Sequence, residues 1–163
     1  MLKLDVSEQH LINCNKPQNN GCQSGTVSEE FKFIIANGGI NTESDYPYQG
    51  RDQTWDEEKS SHNVVAIDGY EASVTGFDGL SQAVATQPVS AGIDSSCEYF
   101  NFYKGGILSG DCGYRMNHAL LIFGYGSDFI LEKNWDSSCL TGKTDMHGQC
   151  GIYDDIYYPT KFS

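Results

Sequence analysis

Residues 117–135 read Asn-His-Ala-Leu-Leu-Ile-Phe-Gly-Tyr-Gly-Ser-Asp-Phe-Ile-Leu-Glu-Lys-Asn-Trp, and this stretch decides the fold. His118–Tyr125 and Phe129–Lys133 are short, β-rich runs separated by turn residues at Gly124–Asp128. An antiparallel pair joined at that turn brings His118 and Asn134 to the same strand end. A histidine at a strand mouth can face a cleft while its neighbours lock the backbone. A carboxamide beside it can orient the imidazole ring, the arrangement that Cys-His-Asn catalysis uses to activate a thiol. The competing readings are a hydrogen-bonded core histidine and a strand-end turn asparagine.

Outward from this pair, Val64–Ile67, Val89–Ile93 and Gly151–Tyr153 are further short β-rich runs, and Leu80–Thr86 is a brief helix ended by Pro88. The first third differs. Ser7–Asn13 reads as a short helix with Ser7 as its N-cap. Thr26 and Glu29 stand three apart, as in a capping box. Val27, Phe31, Ile34 and Ile35 follow on one helical face until Gly38-Gly39 stops it. Tyr46 to Asn63 is polar and reads as surface loop. Helix and loop come first and strands after, so the fold class is α+β. The domain division is drawn at residues 1–62 and 63–163.

The 163 residues carry 10 Lys+Arg against 22 Asp+Glu, a formal net charge of −12. Such a chain repels phosphate backbones, so no nucleic-acid partner is expected. The longest apolar run, Ala119–Phe123, is a quarter of the roughly 20 residues a membrane helix needs, so no membrane partner is expected. The N-terminal MLKLDVSEQH has neither the apolar h-region nor the cleavage site of a signal peptide. Six cysteines nonetheless suit an oxidising compartment. The two observations conflict, and the expectation is a start upstream or a truncated product.

The chain resembles the papain-like cysteine peptidases, of the plant papain/cathepsin L type. Ser7-Glu8-Gln9-His10-Leu11-Ile12-Asn13-Cys14 is similar to the family's S-E-Q-x-L-x-x-C helix, and Asn20-Gly21-Cys22-Gln23-Ser24-Gly25 to its N-G-C-x-G-G loop. Asn37-Gly38-Gly39-Ile40, Asp45-Tyr46-Pro47-Tyr48, Gln87-Pro88-Val89-Ser90 and Tyr103-Lys104-Gly105-Gly106-Ile107 match further signatures in order. Asn117-His118-Ala119 with Gly124-Tyr125-Gly126 resembles the catalytic-His strand, Lys133-Asn134-Trp135 the catalytic-Asn segment, and Cys150-Gly151-Ile152-Tyr153 with Tyr158-Pro159 the C-terminus. The resemblance implies a two-lobed fold, with a helical left lobe and a β-barrel-like right lobe. It implies peptide-bond hydrolysis with His118 as general base and acid and Asn134 as its orienter. It implies a substrate groove on Gly25, Thr26, Val27, Gly92, Met116, Asn117, Trp135 and Asp155, and a Cys112–Cys150 disulfide. Asp155 in the S2 pocket would accept a basic P2 side chain; the competing reading is that Asp154 and Asp155 are only solvated acids. A peptide or protein substrate or inhibitor is the expected partner, a monomer the expected state, and no cofactor is expected. The family's location is secreted or vacuolar/lysosomal.

The sequence also departs from the family. The nucleophile motif Q-x-x-x-x-x-C-x-x-C-W, its oxyanion-hole Gln and the central helix do not occur in the 163 residues. After Asn134 the family's N-S-W-G and following hairpin are largely missing, and Trp55 stands where Cys14 would seek a partner. The reading is therefore the C-terminal portion of a papain-like cysteine endopeptidase, inactive by itself. The alternatives are a non-catalytic pseudoprotease that binds peptides or a protease partner, and a decayed gene product. A zinc site on Cys112, Cys139, His147 and Cys150 is a further reading of the spacing, and no metal is expected.

Overall fold

The computed structural model describes residues 4–14, 19–72, 76–110, 112–127, 129–134, 137–142 and 147–162; for 129, 133–134 and 137–142 it describes the backbone alone. The chain packs into two compact units. The first comprises residues 1–70 and 159–163, and the second residues 71–158.

In the first unit, α1 (Glu8–Cys14) begins where Ser7 Oγ accepts the His10 backbone N–H at 3.0 Å, the N-cap that the sequence predicts. This short helix buries polar side chains. Gln9 Nε2 donates to Arg51 O at 2.9 Å while Gln9 Oε1 accepts the Gln49 N–H at 2.8 Å. Asn13 Oδ1 accepts the Gln53 N–H at 3.0 Å, and Asn13 Nδ2 donates to the Tyr46 hydroxyl at 3.1 Å. The 46–63 segment, expected to be surface loop, is thus pinned to α1. Tyr46 is 4% exposed and belongs to the core with Ile34 and Ile40. The same segment contains α3 (Glu57–Ser60), capped by Asp56, whose carboxylate accepts the Lys59 N–H at 3.1 Å.

Helix α2 (Val27–Ala36) follows its sequence signals. Thr26 Oγ1 accepts the Glu29 N–H at 3.4 Å, and Gly38 and Gly39 take φ of +72° and +140° just past its end. Its buried stripe is narrower than the spacing implies, because Ile34 is buried whereas Ile35 is 37% exposed. The Thr26 N–H donates to Asn19 Oδ1 at 2.9 Å. Val64–Ile67 forms no strand; Ile40 and Val65 meet in an isolated bridge. β1 (Gly69–Glu71) follows at the unit boundary.

The second unit is built on an antiparallel framework. Its elements are α4 (Gly76–Thr86), β2 (Val89–Ile93), α5 (Glu98–Asn101), β3 (Ile107–Leu108), β4 (His118–Tyr125), β5 (Phe129–Asn134), β6 (Ser137–Gly142), a 3₁₀ turn (Gln149–Gly151) and β7 (Ile156–Thr160), whose last two residues belong to the first unit. The strands lie in the order β7-β2-β4-β5-β6-β3, antiparallel except for β3 and β6. β4 shows a period of two. Leu120 and Ile122 enter a core of Leu80, Val84, Val89, Ala91, Ile93 and Ile130, while Leu121, Phe123 and Tyr125 face out. The pairing shifts between Ile122 and Gly124, an irregularity the sequence pattern does not signal.

The run Gly151–Tyr153, read as a strand, is a turn. Gly148, Cys150 and Gly151 have φ of +72°, +56° and +78°, which an extended strand cannot use. The last strand begins four residues after Ile152, at Ile156. β6 pairs antiparallel with β5 from Asn134↔Ser137 to Phe129↔Gly142.

Candidate active site

His118 is the first residue of β4 and pairs with Ile93, the last residue of β2. Strand pairing fixes its backbone at a sheet end, and its half-buried ring lies 5.7 Å from the Phe100 ring, tilted by 60°. In the next strand Lys133 pairs with Leu121, so Asn134 is one residue further toward the end of the sheet that His118 occupies. The backbone therefore places the two predicted residues at one end of adjacent antiparallel strands, joined as the sequence spacing requires. The Asn134 side chain, and Trp135 altogether, lie outside the described residues.

The turn in front of His118 is a hydrogen-bonded clamp. Asn117 Oδ1 accepts the Ser95 N–H at 2.9 Å and the Ser95 hydroxyl at 2.8 Å, and Asn117 Nδ2 donates to Asp94 Oδ1 at 3.3 Å. The Asn117 N–H donates to Ile93 O at 3.0 Å. Asp94 is the hub: its carboxylate also accepts the Ser96 hydroxyl, the Ser96 N–H at 3.1 Å and the Arg115 N–H at 3.0 Å. These donors, the Ser96 hydroxyl foremost, hold the Asp94 carboxyl below the usual carboxylate range. Asn117, predicted to line the groove, thus has its side chain engaged in fixing the entry to β4. The sequence reading omitted Asp94 and Phe100. The Asp-Ser-Ser run after β2 is a turn signal that points to Asp94, whereas Phe100 has no local signal.

Two predicted groove residues meet in the second unit. The Gly92 N–H donates to Asp155 O at 2.7 Å, and a Cβ on Gly92 would stand 2.3 Å from Asp155 Oδ2. Glycine there lets the half-buried Asp155 carboxylate lie against the backbone of β2. Met116 packs on a different glycine, with its terminal methyl 2.3 Å from a Cβ built on Gly151. In the first unit, Gly25, Thr26 and Val27 form the entry to α2, and Asn19 covers Gly25 closely enough that a Cβ would be 3.0 Å from its carboxamide carbon.

Cys112 and Cys150 form a disulfide closing a sequence separation of 38 residues. His147 Nδ1 lies 3.0 Å and 2.9 Å from the two Asp154 carboxylate oxygens. The zinc reading needed Cys112 and Cys150 as thiolates and His147 as a ligand; the disulfide uses both sulfurs and the carboxylate engages one ring nitrogen. The Cys139 side chain lies outside the described residues. Cys14, Cys22 and Cys97 are free. Cys22 is exposed, with its N–H 3.4 Å from Asp52 Oδ1, whereas burial pushes the Cys14 thiol up to about 12.

His10 is fully buried although the short helix that carries it is polar in sequence. Its Nδ1 accepts the Asn41 N–H at 3.2 Å and its ring stacks on Tyr46 at 5.4 Å. Burial lowers its pKa to about 4, so it is a neutral core histidine.

The chain is of the α+β class, with a histidine opening one strand, an asparagine closing the next, and a disulfide whose cysteines lie on either side of that pair in sequence. The sequence matches the model of the papain family cysteine proteases over residues 2–160. It is 44% identical over 173 residues to vignain of Phaseolus vulgaris, covering 97% of this chain and 48% of the relative. Among solved structures, the proform of the ragweed pollen allergen Amb a 11 superposes with a TM-score of 0.89 at 32% identity, covering 98% of this chain and 47% of that one. The Carica candamarcensis protease CMS1MS2 in complex with E-64 gives 0.87 at 32% identity, with 97% and 78% covered. The chain belongs to the papain family of cysteine proteases. It spans about half the length of the curated relatives it matches.

Proposed function

We propose that this chain supplies the histidine–asparagine part of a papain-type cysteine endopeptidase site. The observation that carries the reading is the register: His118 opens β4, and Asn134 closes β5 at the same end of the sheet. In this reading His118 takes the proton of a nucleophilic thiol and returns it to the leaving amine, while the Asn134 carboxamide holds the imidazole ring. The thiolate attacks the peptide carbonyl, the amine departs, and water hydrolyses the resulting thioester. Asp94 and Asn117 are positioning residues that fix the backbone entering His118. Substrate contacts in this reading come from Gly25, Thr26 and Val27 in the first unit, and from Gly92, Met116, Trp135 and Asp155 in the second, with Asp155 favouring a basic P2 side chain.

The motif with the nucleophilic Cys and the oxyanion-hole Gln does not occur in the 163 residues. The reading therefore has the chain inactive by itself, since loss of one oxyanion donor alone costs about 3–4 kcal/mol of transition-state stabilisation. The location in this reading is secreted or vacuolar. A fluorogenic peptide assay on the reduced chain gives no turnover; turnover blocked by a thiol alkylator refutes the inactivity. Joined to a relative's nucleophile segment, the chain supports labelling of that thiol by E-64, the compound bound in the Carica structure. His118→Ala abolishes the labelling, and labelling that survives this substitution refutes the role of His118.

A further inference from the structure

A third sulfur stands beside the disulfide. The Sγ atoms of Cys97, Cys112 and Cys150 all lie within 4.8 Å of one another. Cys97 occupies the N-cap position of α5, is half-buried, and packs against the same core cluster as Cys112. The amide of Gln149, itself 5% exposed, faces both bonded sulfurs. Its Nε2 is 3.5 Å from Cys112 Sγ and 3.6 Å from Cys150 Sγ, and it also donates to Gly110 O. A buried amide donor facing a disulfide is placed to stabilise a thiolate released from it.

We propose that Cys97, Cys112 and Cys150 form an internal thiol–disulfide exchange centre, with Cys97 as the attacking thiol and Cys150 as the leaving one. The Cys97 thiolate forms a bond to Cys112 Sγ, the Cys112–Cys150 bond breaks, and its electron pair goes to Cys150 Sγ. The proton that Cys97 loses to solvent is balanced by one that Cys150 gains. One disulfide and one thiol stand on each side, so the step needs no oxidant or reductant. Attack falls on Cys112 for two reasons. Cys112 is the less buried of the pair, Cys150 being 3% exposed. Cys150 is also the one non-glycine among the described residues with a positive φ, at +56°. Cys150 as leaving group frees that left-handed backbone from its covalent tie. The released segment keeps its hydrogen bond from the Asp94 N–H to Cys150 O, at 2.9 Å. The centre lies entirely within the second unit, and it stands or falls independently of any peptidase activity.

Disulfide mapping tests this on the full chain. The protein is held at pH 8 without oxidant or reductant, quenched with acid, alkylated at low pH and cleaved with pepsin for mass spectrometry. The expected result is a fraction with Cys97 linked to Cys112 and Cys150 alkylated, unchanged on tenfold dilution and in Cys22→Ser, and lost in Cys97→Ser. Finding only the Cys112–Cys150 linkage, with Cys97 alkylated throughout, overturns the proposal. A Cys97–Cys150 linkage overturns the assignment of the attacked sulfur, and a yield that falls on dilution shows intermolecular scrambling and overturns the internal centre.

Discussion

Acid should weaken the first unit through one residue, His10. Its Nδ1 already accepts the Asn41 N–H, and its Nε2 is buried with no hydrogen-bond partner among the described residues. A second proton would displace the Asn41 donor and put charge against Tyr46 and Phe33. The folded pKa is about 4 against 6.5 for an exposed histidine. The sign depends on which state binds the proton. Above pH 6.5 both states hold His10 neutral, and it adds no pH dependence. Between 6.5 and about 4 the unfolded chain gains a proton that the folded chain refuses, so stability falls with pH. Below about 4 both are protonated and the loss levels off near ~3 kcal/mol, with ~2 kcal/mol already lost at pH 5. The perturbation is His10→Asn, which keeps an acceptor for the Asn41 N–H but cannot titrate. Urea unfolding of the first unit from pH 7.5 to 4 measures both proteins. The variant is less stable at neutral pH because its stack on Tyr46 is gone, yet its profile is flatter by the amount that His10 titration contributes. Parallel profiles, or an NMR titration of His10 near 6.5, refute the reasoning.

Three further outcomes are expected. Asp94→Asn lowers the unfolding midpoint at pH 7 and flattens its decline in acid. The depressed carboxyl contributes above the ordinary carboxylate range, and that contribution is lost as pH falls through the folded value; an unchanged acid profile rules this out. Replacing both Cys112 and Cys150 by Ser opens a 38-residue loop and lowers stability by about 4 kcal/mol in the chain-entropy account, read by denaturant unfolding; a loss below about 1 kcal/mol counts against it. Gly92→Ala forces Asp155 to swing away from the 2.3 Å approach. In peptide-binding titrations this reduces any preference for Arg over Leu at P2, and an unaltered preference detaches Asp155 from that role.

Local signals made much of the framework legible. Ser7 and Thr26 cap the helices they precede because a short side-chain oxygen satisfies an N–H at a helix start wherever the helix sits. β4 and β5 follow from apolar content and turn residues, and their pairing puts His118 and Asn134 at one sheet end. Other parts were not legible. The polar 46–63 segment reads as surface loop, yet part of it is pinned to α1, where the buried Gln9, His10 and Asn13 satisfy backbone groups of that segment and of Asn41. Hydrophobic periodicity cannot register a polar core of this kind. Gly151–Tyr153 looks extended, but the positive φ values at Cys150 and Gly151 turn the chain there.

The sequence by itself therefore determined the family, the α+β class and the strand pair carrying His118 and Asn134, because these depend on ordered motifs and on contacts between neighbours in the chain. Only the tertiary structure decided that Asp94 clamps the turn before His118, that Asp155 rests on Gly92, that His10 is held neutral, and that Cys97 stands beside the Cys112–Cys150 bond. Each of these joins residues distant in sequence, and which distant groups share a desolvated space is settled by packing.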